Sequence, residues 1–173
     1  MKKEIIFSGI GGQGIMLIGN ILCTVASGKD YKVTFAPTYG QEKRGGRTSC
    51  QIVISDSMES PIISEADVVL IMDEKSLVDF EGSVKKGANL IVNSSMIEKE
   101  VERDDINVLK VPINEIADNL NNSRSANIVA LGAALKFIDT VSFEEVNNYL
   151  GNIFKGSVKE SNEKALKAGY DFI

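Results

Sequence analysis

The chain has 173 residues, 43% of them hydrophobic and 25% charged, and carries a net charge of -5. That acidity argues against nucleic acid as a partner, because a phosphate backbone demands a basic field. With no histidine and only Cys23 and Cys50 as thiols, imidazole chemistry is excluded and a four-thiolate iron–sulfur cluster cannot be held.

The amino terminus resembles no secretory leader, since the apolar run "IIF" stops at once at "SGIGGQG". No apolar run approaches a membrane span, so a cytoplasmic chain with no membrane partner is expected. "EIIFSG" has the look of a buried strand, and "GGQG" is too rich in glycine to continue it. From Ile15 the apolar residues Met16, Leu17, Ile21, Leu22 and Val25 recur at helical spacing, with Gly28 as the stop. "YKVTFAP" is a second strand closed by Pro37, and "TSCQIVIS" a third.

"ADVVLIMD" is almost wholly apolar, as expected of a central strand covered on both faces. "EKSLVDFEGSV" predicts a short helix with Leu77, Val78 and Phe80 inward, and "GANLIVNSS" and "INVLKVP" predict the last strands. Between those two, "EKEVERDD" reads as a solvated acidic surface. Four helical segments follow, "INEIADNL", "SANIVALGAALKFIDT", "SFEEVNNYLGNIF" and "VKESNEKALKAGYDFI". Ser142 and Glu145 form a capping-box pattern at the third. The expectation is an α/β fold in a single domain over residues 1–173. It has a mainly parallel sheet flanked by helices, a Rossmann-like first βαβ unit and a helical C-terminal third.

Gly9, Gly11 and Gly14 fit G-x-G-x-x-G between a strand and a helix, where backbone N–H groups and the helix dipole favour an anion. A nicotinamide site would also need an acid at the end of the second strand, but Ala36 and Pro37 stand there. Gln13, a polar residue amid glycines at the carboxyl edge, is expected to face the ligand crevice. The stretch "PTYGQEKRGGRTSC" leaves the second strand at the same edge, so its glycines and charges should meet that turn. Arg44 and Arg47 offer two-point binding of carboxylate or phosphate. The candidate binding residues are therefore Gly9, Gly11, Gly12, Gln13 and Gly14 with Tyr39, Gly40, Glu42, Arg44, Gly45 and Gly46. No catalytic or metal-ligating residue is assigned. Cys50, on a strand, and Cys23, on an apolar helix face, are expected to be inert thiols.

Taken in order, "GIGGQG", "YGQEKRGGRTSC", "ADVVLIMD", "NIVALGAAL" and "NEKALKAGY" resemble the gamma subunits of 2-oxoacid:ferredoxin oxidoreductases across nearly the whole chain. The central loop is most similar to the 2-oxoglutarate type, with Gln41 and Arg47 departing from the usual proline and small residue. The resemblance implies a complex that oxidatively decarboxylates a 2-oxoacid to an acyl-CoA using thiamine diphosphate, magnesium and iron–sulfur clusters. No "GDG" precedes either "NN", so the resemblance implies that those groups belong to alpha and beta subunits and a ferredoxin-like one. For this chain the resemblance implies a wall of the active-site assembly, built from the Gly9–Gly14 turn and the Tyr39–Arg47 loop, that either contacts coenzyme A or stabilises the thiamine-binding subunits. Three alternatives stay open: the small subunit of an indolepyruvate oxidoreductase, an independent nucleotide-binding reductase, and a purely structural partner whose crevice is empty.

Overall fold

The computed structural model describes residues 1–42 and 45–173. Strand β1 (Lys2–Ile10) enters helix α1 (Ile15–Ser27), followed by β2 (Lys32–Tyr39) and β3 (Arg47–Ser55). Strand β4 (Ala66–Ile71), helix α2 (Glu74–Phe80), β5 (Val84–Asn93) and β6 (Asn107–Val111) complete the sheet. The chain ends in α3 (Ile113–Asn119), α4 (Ala126–Leu135), α5 (Phe143–Ile153) and α6 (Gly156–Phe172).

The six strands lie in the order β2-β3-β1-β4-β5-β6. β1, β4, β5 and β6 are parallel neighbours, as expected, whereas β3 pairs antiparallel with both β1 and β2. The first βαβ unit is therefore interrupted: β1 and β2 point the same way, but β3 fills the place between them. The hairpin tip joining β2 to β3 consequently sits at the carboxyl edge of β1, with Tyr39 and Gly9 flanking Thr48 in register. Pro37 does not close β2 but lies inside it, which an edge strand tolerates because one side of its backbone needs no ladder donor.

Side chains alternate across the sheet. Ile5, Phe7, Ile52, Val68, Leu70 and Ile91 face a core beneath α1 and the four C-terminal helices. Ile6, Val53, Val69, Ile71, Leu90 and Val92 face a smaller core beneath α2. The continuous apolar run in β4 is thus covered on both faces, unequally.

The helices differ from expectation where the sheet dictates their facing. In α1 the buried positions are Ile15, Ile18, Gly19, Ile21, Leu22 and Ala26, while Leu17 is exposed. Leu77 is buried and Phe80 packs at the core rim, but Val78 points outward at 63% exposure. α2 stops at Phe80, and Val84 already belongs to β5. The capping box forms: Ser142 Oγ accepts from the Glu145 amide at 3.2 Å, and Glu145 Oε2 accepts from the Ser142 amide at 2.7 Å. The acidic run 98–105 is mostly exposed but anchored, since buried Glu81 accepts from the amides of Glu102 and Arg103 at 2.6 and 2.8 Å.

Helices α4 and α6 touch backbone to backbone. A Cβ on Gly132 would collide with the Leu166 carbonyl, and one on Gly169 with the Val129 carbonyl. Gly169→Ala should therefore cost about 1–3 kcal/mol by prising the helices apart, despite the better helix propensity of alanine. Urea unfolding of the variant checks this, and an unchanged midpoint would refute the contact.

Burial pushes the thiols of both Cys23 and Cys50 up to about 12, and Cys50 is fully enclosed. Both are neutral thiols near pH 8, well below that value, and poor nucleophiles. Iodoacetamide at about pH 8 should leave the native chain unmodified and label both cysteines once urea unfolds it.

Candidate functional site

The turn after β1 is shaped by its glycines and pinned by one amide. Gly12 (φ 95°) and Gly14 (φ 74°) occupy the left-handed region that side chains resist. Gly14 is the residue before α1, and no side chain caps that helix start. A Cβ at Gly14 would also strike Asn127 of α4, so the turn has no room for another residue there.

Gln13 does not face a crevice. Its Oε1 accepts from the Ile10 amide at 2.8 Å, and its Nε2 donates to the Met72 carbonyl at 3.3 Å. The side chain thus closes its own turn and fastens it to the end of β4. A Cβ on Gly9 would meet Gln13 Oε1, so a larger residue there would push that amide from its place.

The hairpin tip is folded against this turn. The Gly11 amide donates to the Gly46 carbonyl at 2.8 Å, and the Gly40 amide donates to Arg47 O at 2.6 Å. Gly40 and Gly46 are hemmed in by the backbone of Arg47 and Glu42, and Gly45 takes a positive φ of 67°. Between turn and hairpin lies a cleft of about 530 Å³. Gly11 and Gly12 form one wall, while Tyr39, Gly40, Glu42, Gly45 and Gly46 form the other.

Seven of the eleven expected residues therefore share the cleft. Gly9, Gln13 and Gly14 support it from behind, and Arg44 lies outside the described residues. Two lining residues, Arg47 and Thr48, were not in the expected set. The β-register could have found them: Arg47 pairs with Ile10 and Thr48 with Gly9, once β3 is known to lie beside β1. The Arg47 guanidinium pairs with Asp79 of α2 at 2.5 Å and remains about half exposed, so its charge is partly balanced within the chain.

Chemically the cleft is a recognition surface. It offers backbone N–H and C=O groups, the Tyr39 ring at 68% exposure, the Glu42 carboxylate and the Thr48 hydroxyl. Neither cysteine lines it. Iron–sulfur ligation does not fit this chain, since Cys50 is enclosed in the core and Cys23 packs against it.

The sequence matches the model of the pyruvate ferredoxin/flavodoxin oxidoreductase family over residues 4–172. The 2-oxoglutarate synthase subunit KorC of Methanothermobacter marburgensis is 32% identical over 182 aligned residues, covering 100% of this chain and 97% of its own. The keto/oxoacid ferredoxin oxidoreductase gamma subunit of Geobacter sulfurreducens superposes with a TM-score of 0.86 at 28% identity, over 99% of this chain and 95% of the other. A 2-oxoglutarate:ferredoxin oxidoreductase from Magnetococcus marinus, solved with 2-oxoglutarate, coenzyme A and succinyl-CoA bound, gives a TM-score of 0.87. At 21% identity, over 99% of this chain and 31% of that one, its likeness is one of fold. No helix among the described residues is long and apolar enough to cross a membrane. A family match over almost every residue, joined to the glycine turn and hairpin that the shared fold brings together, leads to one conclusion: the chain belongs to the pyruvate ferredoxin/flavodoxin oxidoreductase family, as a gamma subunit of the 2-oxoacid:ferredoxin oxidoreductases.

Proposed function

We propose that this chain serves a 2-oxoglutarate:ferredoxin oxidoreductase, assembled with alpha and beta subunits and a ferredoxin-like electron acceptor. Such a complex joins 2-oxoglutarate and coenzyme A to give succinyl-CoA and carbon dioxide, and two electrons pass to ferredoxin. Similarity to the KorC subunit along its full length supports the choice of acid.

The part proposed for this chain is a wall of the active-site assembly, formed by the cleft between the turn at Gly11–Gly12 and the hairpin at Tyr39–Thr48. One observation carries this reading. The two glycine-rich segments are hydrogen-bonded to each other, Gly11 to Gly46, around an open cleft at the carboxyl edge of the sheet. Open α/β sheets bind ligands at that edge.

Coenzyme A fits such a surface. The backbone amides and Arg47 suit its phosphates, while Tyr39 gives its longer apolar parts a flat face. Thiamine diphosphate, magnesium and the clusters have no matching residues here and are assigned to the sister subunits. When bound in the complex, thiamine diphosphate supplies the carbanion chemistry. This chain's contribution is to orient the acyl acceptor and exclude water.

In the reconstituted complex, Tyr39→Ala and Glu42→Gln should each lower succinyl-CoA formation about tenfold, chiefly through a higher KM for coenzyme A. Both side chains are exposed, so the fold should survive. Unchanged kinetics together with unchanged assembly would remove the cleft from the mechanism. With a substrate panel, 2-oxoglutarate should have the highest kcat/KM. Preference for indolepyruvate would move the complex to the aromatic 2-oxoacid class.

A further inference from the structure

One wall of the turn–hairpin cleft has no side chains of its own. Gly11 and Gly12 line it with backbone alone, and a Cβ at Gly12 would meet no atom within 4 Å. Side-chain packing therefore does not set the path of this wall; its two ends do. At one end the Gly11 amide donates to Gly46 O at 2.8 Å. At the other, Ile10 and Gln13 close a ring. The Gln13 backbone amide donates to Ile10 O at 3.1 Å, and the Ile10 amide donates to Gln13 Oε1 at 2.8 Å. Gln13 Nε2 then ties the ring to the sheet by donating to Met72 O at 3.3 Å. That carbonyl is also held by buried Asn93, whose Nδ2 donates to it at 3.3 Å and to Asn114 Oδ1 at 2.7 Å.

The two contacts of the Gln13 side chain demand opposite chemistry. The Ile10 N–H needs an acceptor and the Met72 carbonyl needs a donor, which fixes the orientation of the amide. An ionised carboxylate in its place would accept at both ends and repel Met72 O. A lysine would only donate, and asparagine has the right groups on a shorter stem. Gly9 leaves the space that the amide fills, since a Cβ there would lie 2.5 Å from Gln13 Oε1.

Granting the cleft the role proposed above, we infer that Gln13 is a positioning residue for the acyl acceptor. Its amide sets the Gly11–Gly12 wall against the hairpin and touches no ligand itself. A hydrogen bond weakens steeply once its distance or angle is lost, so a small shift of this wall removes binding contacts. Contacts made equally before and during the reaction are read in KM rather than in kcat.

Steady-state kinetics of the reconstituted complex test the assignment. Gln13→Glu keeps the size of the side chain and loses its donor, and Gln13→Ala removes both contacts. Each should raise the KM for coenzyme A about tenfold while kcat stays within about twofold. Gly9→Ala should raise KM in the wild-type background, by pushing the amide from its place. In the Gln13→Ala background it should add no more than about twofold, since no amide is left to displace. Amide proton–nitrogen NMR of the full-length chain should show the Gly11 and Gly46 signals moving in Gln13→Glu. Circular dichroism establishes that each variant is folded, and the isosteric Gln13→Glu carries the test should Gln13→Ala misfold. A wild-type KM in both Gln13 variants, alongside a raised KM in Tyr39→Ala, would overturn this role and leave that of the cleft standing. Silence of Tyr39→Ala as well would overturn both. Loss of complex assembly with no split between KM and kcat would make Gln13 structural only, and unmoved Gly11 and Gly46 signals would equally overturn the proposal.

Discussion

The carboxyl edge of the sheet hangs on one carbonyl. Met72 O, just beyond β4, accepts from Gln13 Nε2 and from Asn93 Nδ2, both at 3.3 Å, while the Met72 amide donates to Ser8 O at 2.9 Å. Three parallel strands are thereby tied together where their own ladders end. Asn93 is fully buried and extends the tie, because its Oδ1 accepts from the amide of Ile113 at 3.2 Å and so holds the start of α3. Each bond contributes only about 1 kcal/mol net, yet leaving any of these enclosed groups unmet would cost more. The glycine turn is held in place by these bonds, which satisfy backbone groups at the ends of the strands.

The fastened turn gives the hairpin something to fold against. The Gly11–Gly46 hydrogen bond joins two segments separated by the whole of α1 and β2 in sequence, and it works only because β3 has entered the sheet beside β1. Antiparallel insertion and the cleft are thus one fact. A strictly parallel arrangement with β2 beside β1 would have carried the same residues one strand spacing, or about 4.8 Å, out of place.

Local features were legible in the sequence, and long-range ones were not. The capping box at Ser142, the apolar run of β4 and the helix start at Ile15 need only neighbours within a few residues, and they form as expected. The outward turn of Val78 and Leu17 depends on where the sheet lies, which spacing alone does not state. Gln13 was misjudged for the same reason: its second partner, Met72, is 59 residues away. The glycines of "NIVALGAAL" and "NEKALKAGY" looked like marks of family likeness. In the fold they are the places where α4 and α6 meet without side chains between them.

Pro37 has a consequence for how the chain joins others. β2 is an outer strand, bonded only to β3, so its far side presents backbone groups to whatever approaches. A proline in that row interrupts the set of donors, and Lys32 at the strand's start adds charge. This edge of the sheet is therefore poorly suited to being extended by a strand from another molecule. Any surface that meets this rim must recognise its side chains rather than pair with its backbone.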